Sequence, residues 1–302
     1  MKIIFMGTPD YADKILQRVI AEENIEVVAV YTQPDKPVGR KKVLTPPPVK
    51  TTALSAGIDV YQPQKLRESS VVEQLLAIEC DFIVVAAYGQ ILPKEILDHA
   101  PSINLHASIL PSYRGASPIQ QTLLNGDKQT GVTAMLMDVG LDTGDIIKIS
   151  TIDVAPDEMV ASLFERLTQC AADLTVDVLT NYEKYPHTPQ DDSLATYCTK
   201  ISKSDGVVTF EDAQTLYNKY RAFTPWPAVY LESGLKLKQI TLHETEGSYS
   251  AGEILSIEKE SIVVGCSKGS LRILRVQAPS KKEVDIASYV NGKRLKVEDT
   301  LS

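Results

Sequence analysis

Cysteine is scarce: four of 302 residues, Cys80, Cys170, Cys198 and Cys266, none spaced as Cys-x-x-Cys and none at metal-ligand distance from a histidine. This excludes a disulfide-stapled scaffold and a zinc ribbon, and predicts reduced thiols in a reducing compartment. No stretch reaches the ~20 apolar residues of a membrane span. The opening Met1 to Asp10 has too short an apolar run for a signal peptide and no small-residue cleavage site. A cytoplasmic protein without a membrane partner is expected. Excess positive charge is also missing: the net charge of −8 argues against a general nucleic-acid binder. The first apolar run ends in Gly7-Thr8-Pro9-Asp10 rather than Gly-x-Gly-x-x-Gly. The glycines that let a backbone approach a pyrophosphate are absent, which argues against an NAD enzyme.

What is present is ordinary in bulk, at 43% hydrophobic and 23% charged residues. The length predicts two domains. Buried-strand patterns cover 2–7, 25–31, 82–87 and 102–106, and helical patterns cover 10–22, 71–78 and 159–182. Asp10 is placed to cap the first helix. Strands alternating with helices predict an α/β fold with a doubly wound, mostly parallel sheet. The pattern stops in a polar, turn-rich segment, giving a first domain over 1–188, a linker over 189–205 and a second domain over 206–302. The second domain holds a helical stretch at 213–221, the sequence Pro225-Trp226-Pro227, and short alternating runs at 228–231, 235–243, 253–257, 261–264 and 270–278. Such spacing predicts a small β-barrel. The second domain carries 13 bases and 12 acids, so the acidity belongs to the first.

Of the four histidines, His99, His187 and His243 have no partner visible in sequence. His106 stands two residues from Asn104 at the end of a predicted strand, and period-two alternation puts both side chains on one face. Ends of parallel strands are where open α/β sheets build sites. An asparagine that stabilises an oxyanion beside a histidine that handles an amine proton suits acyl transfer. A polar strand end with a satisfied, buried histidine fits the pair equally well. Gly140 and Gly144 flank Asp142 and permit a tight loop, in which Asp138 and Asp145 also lie. Asp142 could orient a histidine; alternatively all three are turn aspartates bonded to their own backbone. The spacing is not that of an EF-hand. Residues 33–50 hold five bases (Lys36, Arg40, Lys41, Lys42, Lys50), one acid (Asp35) and five prolines. A basic loop in an acidic protein suggests a phosphate-rich partner, although a solvated surface loop has the same composition.

Together, Asn104-x-His106-x-Ser108, then Leu110-Pro111-x-Tyr113-Arg114-Gly115-x-x-Pro118-Ile119, then Leu141-Asp142-Thr143-Gly144-Asp145 resemble the signature of the 10-formyltetrahydrofolate-dependent formyltransferases. Phe5 to Asp10, the Gln33-Pro34-Asp35 loop and Pro225-Trp226-Pro227 narrow the resemblance to members that formylate initiator methionyl-tRNA. It runs from Lys2 into the C-terminal domain. It implies a Rossmann-like formyltransferase domain followed by an OB-like β-barrel that contacts tRNA. It implies Asn104, His106 and Asp142 as the catalytic trio, and Ser108, Ile109, Leu110, Pro111 and backbone near Tyr88 and Gly89 as the folate site. Arg40, with Lys36, Lys41 and Lys42, would meet the tRNA acceptor end, and Tyr11 would wall the methionine pocket where the family often has Phe. The formyl donor would be 10-formyltetrahydrofolate, with no metal, and the chain a monomer. Rival readings are a formyltransferase with a small amine acceptor such as a nucleotide sugar, a folate-binding hydrolase, and a nucleic-acid binding module without activity.

Overall fold

Runs rich in Ile and Val become the middle of a sheet, because strands covered on both faces have no solvent side for polar residues. The structure, a computed structural model, describes residues 1–39 and 41–302. Its chain divides into two units, residues 1–118, 129–154 and 163–198 in the first and 119–128, 155–162 and 199–302 in the second.

The first unit contains strands β1 (Lys2–Gly7), β2 (Glu26–Tyr31), β3 (Lys36–Val38), β4 (Val43–Thr45), β5 (Val60–Tyr61), β6 (Phe82–Ala86), β7 (Ser102–His106), β8 (Arg114–Gly115), β9 (Gln129–Leu136), β10 (Ile146–Asp153) and β11 (Tyr197–Cys198). The helices up to the end of this unit are α1 (Asp10–Ile20), α2 (Pro48–Ser55), α3 (Ser69–Leu76), α4 (Lys94–Leu97), α5 (Pro118–Asn125) and α6 (Val160–Asn181). Seven strands form one sheet in the order β10-β9-β7-β6-β1-β2-β5. The five from β7 to β5 are parallel; β9 runs antiparallel to β7, and β10 antiparallel to β9. The expected doubly wound, mostly parallel sheet is therefore present. The chain lays β2 and β5 on one side of β1, then β6 and β7 on the other. The topological switch point thus lies beyond the C-terminal ends of β1 and β6, the place where open α/β sheets bind ligands.

Ile3, Ile4, Phe5 and Met6 of β1 are fully buried, and α1 covers the sheet with Ile15, Leu16 and Val19. Asp10 does not cap this helix. It is the first helical residue, Pro9 is the N-cap residue, and no side chain caps the end. Asp10 and Asp13 instead place carboxylates in the first turn, where the helix dipole favours them.

The segment expected as a linker is ordered against the first unit as far as Cys198. Thr188 exchanges backbone hydrogen bonds with Ile146 at 2.8 and 2.9 Å, and β11 pairs in parallel with β8. Two of its polar side chains, Gln190 and Asp192, reach a buried partner described below.

The second unit contains α7 (Ala213–Phe223), β12 (Val229–Tyr230), β13 (Lys236–Glu244), β14 (Ile254–Ile257), β15 (Ile262–Gly265), β16 (Ser270–Gln277), β17 (Val284–Asp285) and α8 (Ile286–Lys293). Its strands form an antiparallel sheet in the order β12-β13-β16-β15-β14, with β17 also on β16. Asp212 caps α7 by accepting from Thr215 N at 2.7 Å, and that backbone hydrogen bond holds its carboxyl below the ordinary range. Buried Asn218 and Arg221 on α7 reach the carbonyls of Leu124 and Glu158, which joins 119–128 and 155–162 to this unit. Among the described residues no helix is long and apolar enough to cross a membrane.

Candidate active site

Strand β7 carries Asn104 and His106 to the C-terminal edge of the sheet on one face, as period two requires. The His106 ring is 7% exposed. Its Nε2 lies 2.9 Å from the carbonyl oxygen of Tyr113. A carbonyl only accepts, so Nε2 carries a hydrogen and donates it. The other nitrogen, Nδ1, faces Asp142 Oδ2 at 3.6 Å. Asn104 Nδ2 lies 3.5 Å from Asp142 Oδ1. Both separations are at or beyond the outer limit of a formed hydrogen bond. Such spacing fits groups that close on a reacting atom between them rather than on each other.

Asp142 sits in the loop between β9 and β10 with φ of 55°. The turn reading holds for its neighbour: Asp138 accepts from Gly140 N at 2.8 Å and Thr143 Oγ1 at 2.6 Å. Asp142 does something else, since its Oδ2 accepts from Gly115 N at 2.8 Å, across 27 residues. Gly144 makes the return possible, because a Cβ there would stand 1.8 Å from Leu136 O. One carboxylate thus faces Asn104, His106 and the Gly115 amide together, with only 13% of the side chain exposed.

The 108–112 turn is built from within. Ser108 Oγ donates to Ser112 O at 2.6 Å, Thr133 Oγ1 donates to Ser108 O at 2.7 Å, and Leu110 N donates to Thr133 Oγ1 at 3.1 Å. The Leu110–Pro111 peptide is cis. Ser108 and Leu110 are buried, and Ile109 and Pro111 present part of their surface. Of the four residues of this turn expected at the folate site, two therefore support the turn and two can touch a ligand.

Beyond β6, Ala87 and Gly89 have positive φ, 46° and 83°. Tyr88 turns its ring into the core, where burial pushes its hydroxyl up to about 12. Its carbonyl accepts from Thr8 Oγ1 and Gln33 Nε2, each at 3.2 Å. The ends of β1, β2 and β6 are thereby tied at the switch point, with backbone rather than side chain offered at Tyr88 and Gly89. Tyr11 is buried on α1, its hydroxyl donating to Leu105 O at 3.2 Å and its ring edge-on to Phe164 at 6.2 Å. Burial raises that phenol far above its ordinary range.

The 33–50 segment contains an antiparallel hairpin of β3 and β4. Lys36, Lys41 and Lys42 are exposed on it, as are Val38, Val43 and Leu44. Arg40 lies outside the described residues. Lys50 is held at 2.9 Å from Asp35 Oδ1, so it is not among the free cations of this loop.

Sequence reasoning placed Arg114 and Gly115 in the motif without a role for either, and passed over Gln190. Arg114 is 1% exposed, and its guanidinium donates to Gln190 Oε1 at 3.1 and 2.8 Å and to Asp192 Oδ1 at 2.8 Å. Its only signal was position within the quoted motif; Gln190 gave none.

The profile of the family described as Formyl transferase matches residues 1–179, and that of Formyl transferase, C-terminal domain, matches 200–294. The chain is 63% identical to the methionyl-tRNA formyltransferase of Sulfurimonas denitrificans over 302 residues, covering 100% of each. It is 55% identical to that of Nitratiruptor sp., covering 99% of each. Among solved structures, the N-formyltransferase of Helicobacter canadensis with folinic acid and dTDP-3-aminofucose superposes with a TM-score of 0.70. That match covers 92% of this chain and 100% of that one, and at 17% identity it bears on the fold alone.

Proposed function

The chain belongs to the formyl transferase family, and on that premise we propose how its residues carry the transfer. It is an enzyme that moves a formyl group from a folate donor to the α-amino group of initiator methionyl-tRNA. The donor in our reading is 10-formyltetrahydrofolate, and the enzyme acts as a cytoplasmic monomer. The methionyl amine attacks the formyl carbon, a C–N bond forms to that amine, and the bond to N10 breaks. One proton leaves the amine and one arrives on N10. An α-amine with pKa near ~8 supplies enough neutral nucleophile at neutral pH. Asn104 Nδ2 and the His106 cation stabilise the oxyanion. Asp142 holds His106 or a water and helps shuttle the proton to N10. An activated formamide reacts readily once positioned, so no metal is required.

The observation that supports this most strongly is the meeting of Asn104, His106 and Asp142, with His106 and Asp142 36 residues apart in sequence, around one largely buried carboxylate. In this reading the folate donor lies at the C-terminal ends of β1, β6 and β7, against Ile109, Pro111, the turn that Ser108 and Leu110 support, and backbone at Tyr88 and Gly89. Tyr11 walls the methionine side. Arg40, Lys36, Lys41 and Lys42 meet tRNA phosphates.

The test offers 10-formyltetrahydrofolate with charged initiator tRNA and, in parallel, with an amino nucleotide sugar. Formyl-methionyl-tRNA is the expected product. Formylation of the sugar amine alone would move the chain to the small-acceptor reading. Within the same assay, replacing Lys36, Lys41 and Lys42 with Ala raises KM for tRNA and leaves KM for folate in place. Each lysine that neutralises a phosphate lowers the slope of log affinity against log salt by about 1. An unchanged salt slope would remove the hairpin from the tRNA interface.

A further inference from the structure

Gln190 lies in the segment that sequence assigns to a linker, yet its amide touches both halves of the candidate active site. Nε2 donates to the carbonyls of Asp142 at 2.9 Å and Gly144 at 2.7 Å. Oε1 accepts from Arg114 Nε at 3.1 Å and Nη2 at 2.8 Å. Two acceptors on one side and a guanidinium on the other fix which end is nitrogen. Arg114 belongs to the strand that follows the His106 turn, and Asp142 to the loop between β9 and β10. On either side of Gln190 the segment is anchored by backbone, at Thr188 to Ile146 and through β11 to β8. Asp142 itself has positive φ, a conformation that holds only when surroundings over-determine it. Gly115 N fixes the carboxylate end of the residue, and Gln190 fixes its carbonyl end.

We propose that Gln190 is a positioning residue: its amide clamps the Asp142 loop to buried Arg114, and so sets the carboxylate's distance from His106 and Asn104. Gln190 does not meet substrate in this role; it acts through Asp142. The proposal rests on the reading of Asp142 as the group that holds His106 or a water. A misplacement of about 1 Å at a reacting group lowers rate by about 10²-fold.

The experiment compares Gln190→Ala, Gln190→Glu, Asp142→Asn and the Gln190→Ala/Asp142→Asn pair in the full chain, with 10-formyltetrahydrofolate and charged initiator tRNA. Gln190→Glu keeps an acceptor for Arg114 and removes both donors to the loop. Both Gln190 variants are expected to lose kcat by about 10²-fold with little change in KM for folate. The loss should persist when kcat is divided by the fraction folded, read by circular dichroism; a smaller folded fraction alone would leave kcat per folded molecule unchanged. In the Asp142→Asn background, Gln190→Ala should add little. Wild-type kcat in Gln190→Ala, or losses that multiply fully in the Gln190→Ala/Asp142→Asn pair, would overturn this proposal alone. Wild-type turnover in Asp142→Asn overturns the catalytic reading, and this one with it. Loss of the native circular dichroism spectrum in both Gln190 variants would make the contact structural and refute positioning.

Discussion

Asp142→Asn and His106→Ala each lower kcat by about 10²–10³-fold while the enzyme stays folded, the loss typical when one charge-stabilising group leaves a site. The two changes act differently. An asparagine at 142 still offers an oxygen to Gly115 N, so the loop keeps its anchor and only the charge is removed. Without that charge the Nδ1 side of His106 no longer faces a carboxylate at 3.6 Å. His106→Ala removes the ring and its hydrogen bond to Tyr113 O, an oxygen that also accepts from Cys198 Sγ at 3.4 Å. The turn therefore keeps one partner. His106→Gln adds a check, since an amide can still donate to Tyr113 O but cannot carry the proton. Single-turnover formylation of methionyl-tRNA, with thermal unfolding alongside, measures all three. Near-wild-type turnover in either Asp142→Asn or His106→Ala would refute the trio.

The reason the catalytic residues could be read unevenly from sequence lies in how local their determinants are. Strands β1, β6 and β7 were legible because doubly covered strands write themselves as unbroken apolar runs. Asn104 and His106 followed from β7 and its alternation. Asp142 did not. Gly140 and Gly144 flank Asp142, but a turn aspartate fits that position as well as Asp138 or Asp145 fits its own, so the loop alone does not separate a catalytic residue from a turn residue. Asp138 turns out to bond its own turn, and what frees Asp142 for chemistry is an amide 27 residues away. Only the order of motifs along the chain, matched to a family, singled it out. Gln190 and Asp192 misled in the opposite direction: polar residues beside prolines read as solvated linker, although Gln190 and Asp192 satisfy a guanidinium that is 1% exposed. The β3–β4 hairpin was hidden by its prolines and by the brevity of three-residue strands, and it emerges as the exposed carrier of the lysines.

The stretch from Arg114 to Gly115 binds these parts together, and one methyl group is enough to test it. Gly115 has φ of +117°, a region that a Cβ makes unfavourable, and an added Cβ would lie 2.2 Å from the carbonyl oxygen of Cys198. That oxygen is backbone in the partner strand β11 and accepts from Ala116 N at 3.2 Å, so it cannot swing aside as a side chain would. Gly115→Ala must part β8 from β11 or distort residue 115, and either movement pulls its amide from Asp142 Oδ2. Backbone strain of about 1–3 kcal/mol and overpacking of similar size act together. The expected result is a fall in Tm of roughly 5–15 °C, with kcat lower by about 10²-fold even at temperatures where the protein is folded. Gly292→Ala is the matching control: that helical glycine has no neighbour within 4 Å of an added Cβ and no positive φ, so its Tm holds or rises. A Gly115→Ala enzyme with native Tm and native kcat would mean that the Gly115 amide does not set the position of Asp142, and that the carboxylate is held by other contacts.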